Sequence, residues 1–240
     1  MIFSNNKSEL EKNGFSILSN IYTDEEIDLI TACIENAVQD GNSFMKTKNL
    51  FAIRQLLKSI PELNEILFNN KLSELILALS KSKIFLTKAI YFDKPSDSNW
   101  FVAYHQDLSI SVNQKAELEG YTNWTFKKGQ FGAQPPVQIL KDTITVRIHL
   151  DKTVAENGAL KVIPKSHLSG VVRSDSKEWN VDDEVICEVE KGGVMLMKPL
   201  TLHASSRTTN GKQRRVIHLE FNKHKLPEPL NWLEYCAIIN

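Results

Sequence analysis

Apolar positions recur at helical spacing in the first third of the chain and at strand spacing after it. Ile27, Ile30, Ile34 and Val38 follow at three- and four-residue intervals, the stripe one face of an amphipathic helix turns to a core. Thr23 and Glu26 are spaced as a capping box ahead of this run, Tyr22 and Ile27 as a hydrophobic staple, and Gly41 as its stop. Apolar stretches at 52–60, 62–69 and 72–80 predict further helices, broken near Pro61 and Asn69-Asn70.

From residue 84 the period changes. Ile84–Phe92 is rich in β-branched and aromatic residues, and Phe101–His105 is a second short run. Thr143–Asp151 alternates: Ile144, Val146, Ile148 and Leu150 on one face, Thr145, Arg147 and His149 on the other. Leu160–Ile163 follows the turn signal Asn157-Gly158. Glu184–Glu190, Val194–Met197 and Arg215–Asn222 complete the strands. Many short strands after helices predict a mainly β fold, a jelly-roll sandwich braced by an N-terminal helical region. We expect one domain over 1–240. It divides into a mostly helical preface at 1–83, a jelly-roll core at 84–224 and a C-terminal tail at 225–240. Residues 113–142, with glycines, prolines and bulky aromatics, read as a long lid loop, and 168–183 as a polar surface excursion.

Composition narrows the classes. The chain has 240 residues, 42% hydrophobic and 24% charged, enough for one sizeable core. Lys+Arg and Asp+Glu number 29 each, so no basic field is available for nucleic acid. No apolar run is long enough to span a bilayer, and the first residues lack the apolar centre of a signal peptide. Cys33, Cys187 and Cys236 lie far apart with no CxxC pair, which reads as reduced thiols in a cytoplasmic protein.

The candidate chemistry is His105-Gln106-Asp107. In a strand, side chains two apart point the same way, so His105 and Asp107 can reach one metal ion together. His203, at the end of an apolar run far along the chain, can supply a third ligand from a facing wall. Two imidazoles and one carboxylate are the set that holds non-haem Fe(II) with positions left open. Arg214 lies on a strand whose face it shares with Val216, His218 and Glu220. A guanidinium entering a sandwich interior is costly unless an anion meets it, so Arg214 is a candidate clamp for an acidic co-substrate. Arg147 either faces the cavity and binds substrate or oxoacid, or makes a structural ion pair. His149 and His218 are competing histidines without so well placed a carboxylate. His167 reads as a turn-stabilising hydrogen bonder and His224 as exposed.

These residues sit in segments that together resemble the phytanoyl-CoA dioxygenase-like family of Fe(II)/2-oxoglutarate-dependent oxygenases. The resemblance spans roughly residues 10–225. It rests on Tyr91–Lys94, Tyr104-His105-Gln106-Asp107, Arg147-Ile-His149-Leu-Asp151, Asn157-Gly158-Ala-Leu, Ile163-Pro164-Lys-Ser-His167, His203-Ala-Ser205 and Arg214-Arg215-Val-Ile-His-Leu-Glu-Phe. It implies a double-stranded β-helix of the cupin-like jelly-roll kind, with Fe(II) held by His105, Asp107 and His203. It implies 2-oxoglutarate as co-substrate, paired through its distal carboxylate with Arg214 and Ser205, and O2 as oxidant. Trp124 falls where the family often has a tryptophan near the site, and Trp124, Phe126 and Phe131 are expected to offer apolar contact to substrate. Related halogenases replace the carboxylate ligand with a small residue; Asp107 therefore implies hydroxylation or another oxidation of a small or medium organic molecule. Two rival readings stay open: a jelly-roll metal-binding module without activity, and a same-fold iron enzyme that desaturates or epimerises. Neither oligomeric state nor substrate follows from the sequence.

Overall fold

Strand pairing sorts the chain into three antiparallel sheets. The computed structural model describes residues 3–40, 45–46, 51–80, 82–96, 101–172 and 180–237. Its N-terminal elements are α1 (Ser4–Asn13), β1 (Phe15–Leu18), α2 (Asp24–Asp40), β2 (Met45–Lys46), β3 (Phe51–Arg54), α3 (Leu56–Ser59), α4 (Leu63–Leu67) and α5 (Asn70–Leu79). There follow β4 (Phe85–Lys94), β5 (Val102–His105), β6 (Ile110–Val112), β7 (Thr122–Lys127), β8 (Gln130–Gln134), α6 (Val137–Asp142) and β9 (Ile144–His149). The last are β10 (Leu160–Val162), β11 (Val185–Cys187), β12 (Val194–Met197), β13 (His203–Ser205), β14 (Arg214–Asn222) and β15 (Cys236–Ala237).

The major sheet runs β1-β12-β9-β14-β4-β3-β2, with β15 added on β4. A second sheet runs β11-β10-β13-β5, and a third β6-β8-β7. This is the expected jelly roll. One face of the major sheet packs on the helices. Ile27, Ile30 and Ile34 of α2 and Leu72, Leu75 and Ile76 of α5 share a buried cluster with Ile144, Val146, Ile148, Ile217, Leu219 and Phe221. The capping box forms: the Thr23 N–H donates to Glu26 Oε2 at 2.8 Å and the Glu26 N–H to Thr23 Oγ1 at 3.2 Å. Tyr22 and Ile27 are buried in that same cluster. Asp151 receives Nε and Nη2 of Arg215 at 2.9 and 2.8 Å, while Arg215 Nη1 reaches Glu35 of α2 at 2.9 Å. That fork ties helix to sheet. The Val38 side chain, Gly41 and residues 173–179 of the expected surface excursion lie outside the described residues.

Three expected boundaries change. Residues 1–83 are not only a helical preface, because β1 pairs with β12 and β3 with β4; the expected helix at 52–60 thus begins as strand β3 and becomes helical only at Leu56. Residues 113–142 are not a loop: they hold the β7–β8 hairpin and α6. The described part of the expected tail, 225–237, packs on the core: Leu230 and Trp232 are buried with Ile110, Val112 and Leu140, and β15 pairs with β4. Among the described residues, no helix is long and apolar enough to cross a membrane.

Leu219 is fully buried at the middle of β14, against the helical layer. Leu219→Ala should lower unfolding free energy by about 2–5 kcal/mol, by the lost transfer energy and the cavity it leaves. Urea melts with an unchanged m-value check it.

Candidate metal centre and anion pocket

The face of the major sheet turned from the helices forms one wall of a cavity of about 570 Å³. The second sheet supplies the facing wall and the β7–β8 hairpin one rim. β13 pairs with β5 so that His203 stands directly opposite His105. Their rings lie 4.2 Å apart, centroid to centroid. Asp107, just past β5, turns its carboxylate to both: Oδ1 is 3.8 Å from His105 Nε2 and Oδ2 is 3.7 Å from His203 Nε2. One ligand atom from each of the three can be chosen so that all lie within 4.8 Å of one another.

Each imidazole is oriented from behind. His105 Nδ1 lies 2.9 Å from the carbonyl of Ala103, and His203 Nδ1 lies 2.8 Å from that of Thr201. A carbonyl only accepts, so both Nδ1 atoms carry the proton and both Nε2 lone pairs face Asp107. That is the arrangement a metal requires of imidazole. Burial pushes the Asp107 carboxyl up, but His203, His218 and His105 together outweigh it and hold it at about 2. Burial drives His203 down to about 4, against the pull of Asp107. An ionised carboxylate and a neutral imidazole are the forms that bind a divalent ion.

Gln106 points away from its neighbours and acts as a stitch. Its Nε2 donates to the carbonyls of Leu200 and Gly170 at 2.6 and 2.8 Å, and its Oε1 accepts the Val172 N–H at 2.9 Å. The Asp107 N–H donates to Pro199 at 2.9 Å. The β5 end is thereby locked to the segment that leads into His203.

The other end of the cavity is cationic. Arg214 lies directly opposite Lys94 across the β14–β4 pair. Like charges in that position repel unless an anion joins them. Burial, then the Arg214 charge, pushes Lys94 down to about 8; burial, then Arg147, pushes Arg214 down to about 9. Arg214 Nη1 donates to the Gly158 carbonyl and Lys94 Nζ to that of Ser206 at 2.6 Å. Neither meets a carboxylate among these bonds. Gly158 has φ +83, and a Cβ there would stand 2.7 Å from Ser206 O and 2.9 Å from Lys94 Nζ, so only glycine lets these groups close up. Arg147 is buried, lines the cavity, and its Nε has no hydrogen-bond partner among the described residues. Buried polar groups are seldom left so, and three cations with no salt bridge among the described residues suit an anionic guest. Ser205 is buried on the facing wall, on β13 beyond His203, and lines the same cavity.

The structure thus brings together His105, Asp107, His203, Arg214, Ser205 and Arg147 on one cavity. Among the described residues Arg147 makes no structural ion pair; its Nη1 bonds His218 Nδ1 at 3.2 Å. Trp124 is the exception. On β7, Asn123, Thr125 and Lys127 line the cavity, so the intervening Trp124 turns away and packs against the cluster of Ile110, Val112 and Tyr121. Phe126 is also turned away, exposed and set on Phe131, with centroids 4.6 Å apart. The competing histidines find other partners: His149 bonds Thr153 Oγ1 at 2.8 Å, His167 the Glu11 carbonyl at 3.1 Å, and His224 is half-buried on Asp142 at 2.7 Å. Lys94 and Gln106 escaped sequence reasoning; the strand register alone reveals the first, and its place between two ligands signals the second.

The sequence profile of the phytanoyl-CoA dioxygenase family matches residues 10–216. A phytanoyl-CoA dioxygenase domain-containing protein 1 homolog of Dictyostelium discoideum is 22% identical over 272 aligned positions, covering 95% of this chain and 94% of that one. Among solved structures, the non-haem α-ketoglutarate-dependent epimerase SnoN of nogalamycin biosynthesis superposes with a TM-score of 0.72 at 12% identity, covering 100% of this chain and 93% of that one. EvdO2 from Micromonospora carbonacea var. aurantiaca, complexed with 2-oxoglutarate, superposes with a TM-score of 0.62 at 17% identity, covering 94% of each.

Behind the cavity wall, burial raises the Glu234 carboxyl to about 7 although the Ala89 N–H donates to it at 3.1 Å. Its folded value lies above the unfolded one near 4.5. The stability it contributes is therefore full at low pH and is lost as pH rises through about 7. Glu234→Gln keeps an acceptor for Ala89 and should exceed the parent in stability above neutral pH, by on the order of 1–3 kcal/mol. The two proteins should converge in acid; paired urea melts across pH read the difference.

Proposed function

The chain belongs to the phytanoyl-CoA dioxygenase family of Fe(II)- and 2-oxoglutarate-dependent oxygenases, and from that premise we propose that it hydroxylates a small or medium organic metabolite, with release of succinate and CO2. One observation carries this reading: a His-carboxylate-His set and a cluster of cations with no salt bridge among the described residues open on the same cavity. When bound, Fe(II) with 2-oxoglutarate supplies O2 activation, one oxygen atom going to substrate and the other to succinate.

The residues divide the remaining work. His105, Asp107 and His203 hold the metal, with Ala103 and Thr201 keeping the two imidazole lone pairs aimed inward. Arg214, across from Lys94, takes the distal carboxylate of 2-oxoglutarate, with Ser205 on the facing wall of the same cavity. That anion would offset the burial, and the like charge of Arg214 on Lys94 and of Arg147 on Arg214, that lower both cations. The β7–β8 hairpin, not a loop, forms the rim that limits water at the reacting centre. Asp107 fills the position a halide would need, which favours oxygenation. The similar epimerase and carbocyclase folds put other outcomes of hydrogen abstraction on the same architecture. A product one oxygen atom heavier by mass spectrometry distinguishes hydroxylation from those outcomes.

Two variants separate the two halves of the site. Fe(II) or Mn(II) should raise the melting temperature of the parent protein, by preferential binding to the folded state, and Asp107→Ala should abolish that rise. Arg214→Ala should keep the metal-dependent rise while the 2-oxoglutarate requirement increases by roughly thirty- to a thousandfold, from loss of about 2–4 kcal/mol. Unchanged 2-oxoglutarate affinity in Arg214→Ala would remove it from this role.

A further inference from the structure

We propose that Glu220 selects the substrate by accepting a hydrogen bond from one of its hydroxyl groups, and that the substrate is a polyol or sugar-like molecule. The proposal rests on the oxygenase reading of the cavity and names what that cavity takes.

Glu220 is 4% exposed yet lines the cavity, on the same face of β14 as Arg214 and His218. Its neighbours hold it in one pose. His218 stands opposite Arg147 on β9, and Glu220 stands opposite Lys88 on β4. A guanidinium only donates, so Arg147 Nη1 donates to His218 Nδ1 at 3.2 Å. The imidazole proton is thereby placed on Nε2, which donates to Glu220 Oε1 at 3.1 Å. Lys88 Nζ donates to the same oxygen at 2.8 Å and to the Ser109 carbonyl at 2.9 Å. Both bonds fall on Oε1. Among the described residues, none donates to Oε2.

A buried carboxylate on the cavity wall, with two hydrogen bonds on one oxygen and no donor among the described residues for the other, is a preformed acceptor. The kind of donor follows from charge. Lys88 already balances Glu220, so an ammonium would bring an uncompensated cation, whereas a hydroxyl adds none. The rim agrees. Ser111, Thr125, Gln130 and Gln134 of the third sheet line it with neutral groups that both donate and accept, and Asn123 Nδ2 braces Gln134 Oε1 at 2.7 Å. Such groups match hydroxyls in either role. Phe92, Ile90 and Val216 offer apolar area between them for C–H faces. Glu220 also lies close enough to Asp107 for their carboxylates to repel. A hydroxyl held there brings its neighbouring C–H toward the metal ligands.

The test uses the whole protein, anaerobically loaded with Fe(II) and 2-oxoglutarate, and the visible charge-transfer band of that complex. Erythritol and xylitol are titrated in as probes, alongside their per-O-methyl ethers. The polyols should perturb the band and the ethers should not. Glu220→Gln should form the band at the parent's 2-oxoglutarate concentration but weaken the polyol response about ten- to a hundredfold, the loss expected for a charge-assisted hydrogen bond. Lys88→Met combined with Glu220→Gln, which leaves no orphaned ammonium, should show the same loss. No perturbation by either polyol, an equal response to the ethers, or undiminished polyol affinity in both variants overturns the proposal. Absence of the band in the parent overturns the oxygenase reading, and this inference with it.

Discussion

The register of β14 between β9 and β4 is the constraint on which the rest of the molecule depends. Period-two alternation sends Ile217, Leu219 and Phe221 into the helical layer and Arg214, Val216, His218 and Glu220 into the cavity. A slip by one residue would exchange the two sets, placing charges in the core and apolar groups at the site. The register also chooses partners. It sets Arg214 against Lys94, His218 against Arg147 and Glu220 against Lys88. The same rule on the facing wall sets His203 against His105. Chemistry in this fold is a consequence of cross-strand pairing.

Those pairs divide the cavity electrostatically. At one end two cations oppose each other, with Arg147 near enough to lower Arg214 further. At the other, Lys88 and His218 converge on a single oxygen of Glu220. His105, Asp107 and His203 share the cavity with both. Placing so many charges in an interior works against stability. Local rules of burial are broken here and kept in the helical layer, which is the distribution expected when a site and a core share one sheet.

The places where sequence reasoning failed have a common physical cause. The β7 strand is largely exposed on both faces, so it carries no alternation, and its aromatics between the flanking Gly120 and Gly129 read as loop. β1 and β3 are four residues each, too short to show a period among helical neighbours, and only their pairing with β12 and β4 makes them strands. The expectation for Trp124 near the site rests on the family resemblance, which places a tryptophan in this segment. Its side of β7 depends on a bulge between Thr122 and Thr125, which no composition reveals.

What the sequence determined by itself was the set of local statements. The helical stripe and capping box of α2, the alternation of β9 and β14, the HxD pair and the later histidine and arginine were all readable, because each depends on residues a few positions apart. Which residues of different strands would stand opposite each other was decided by tertiary structure alone. Lys94 at Arg214, Lys88 at Glu220 and Arg147 at His218 are separated by long stretches of chain, and their meeting depends on register, a property of strand pairs and not of any single strand.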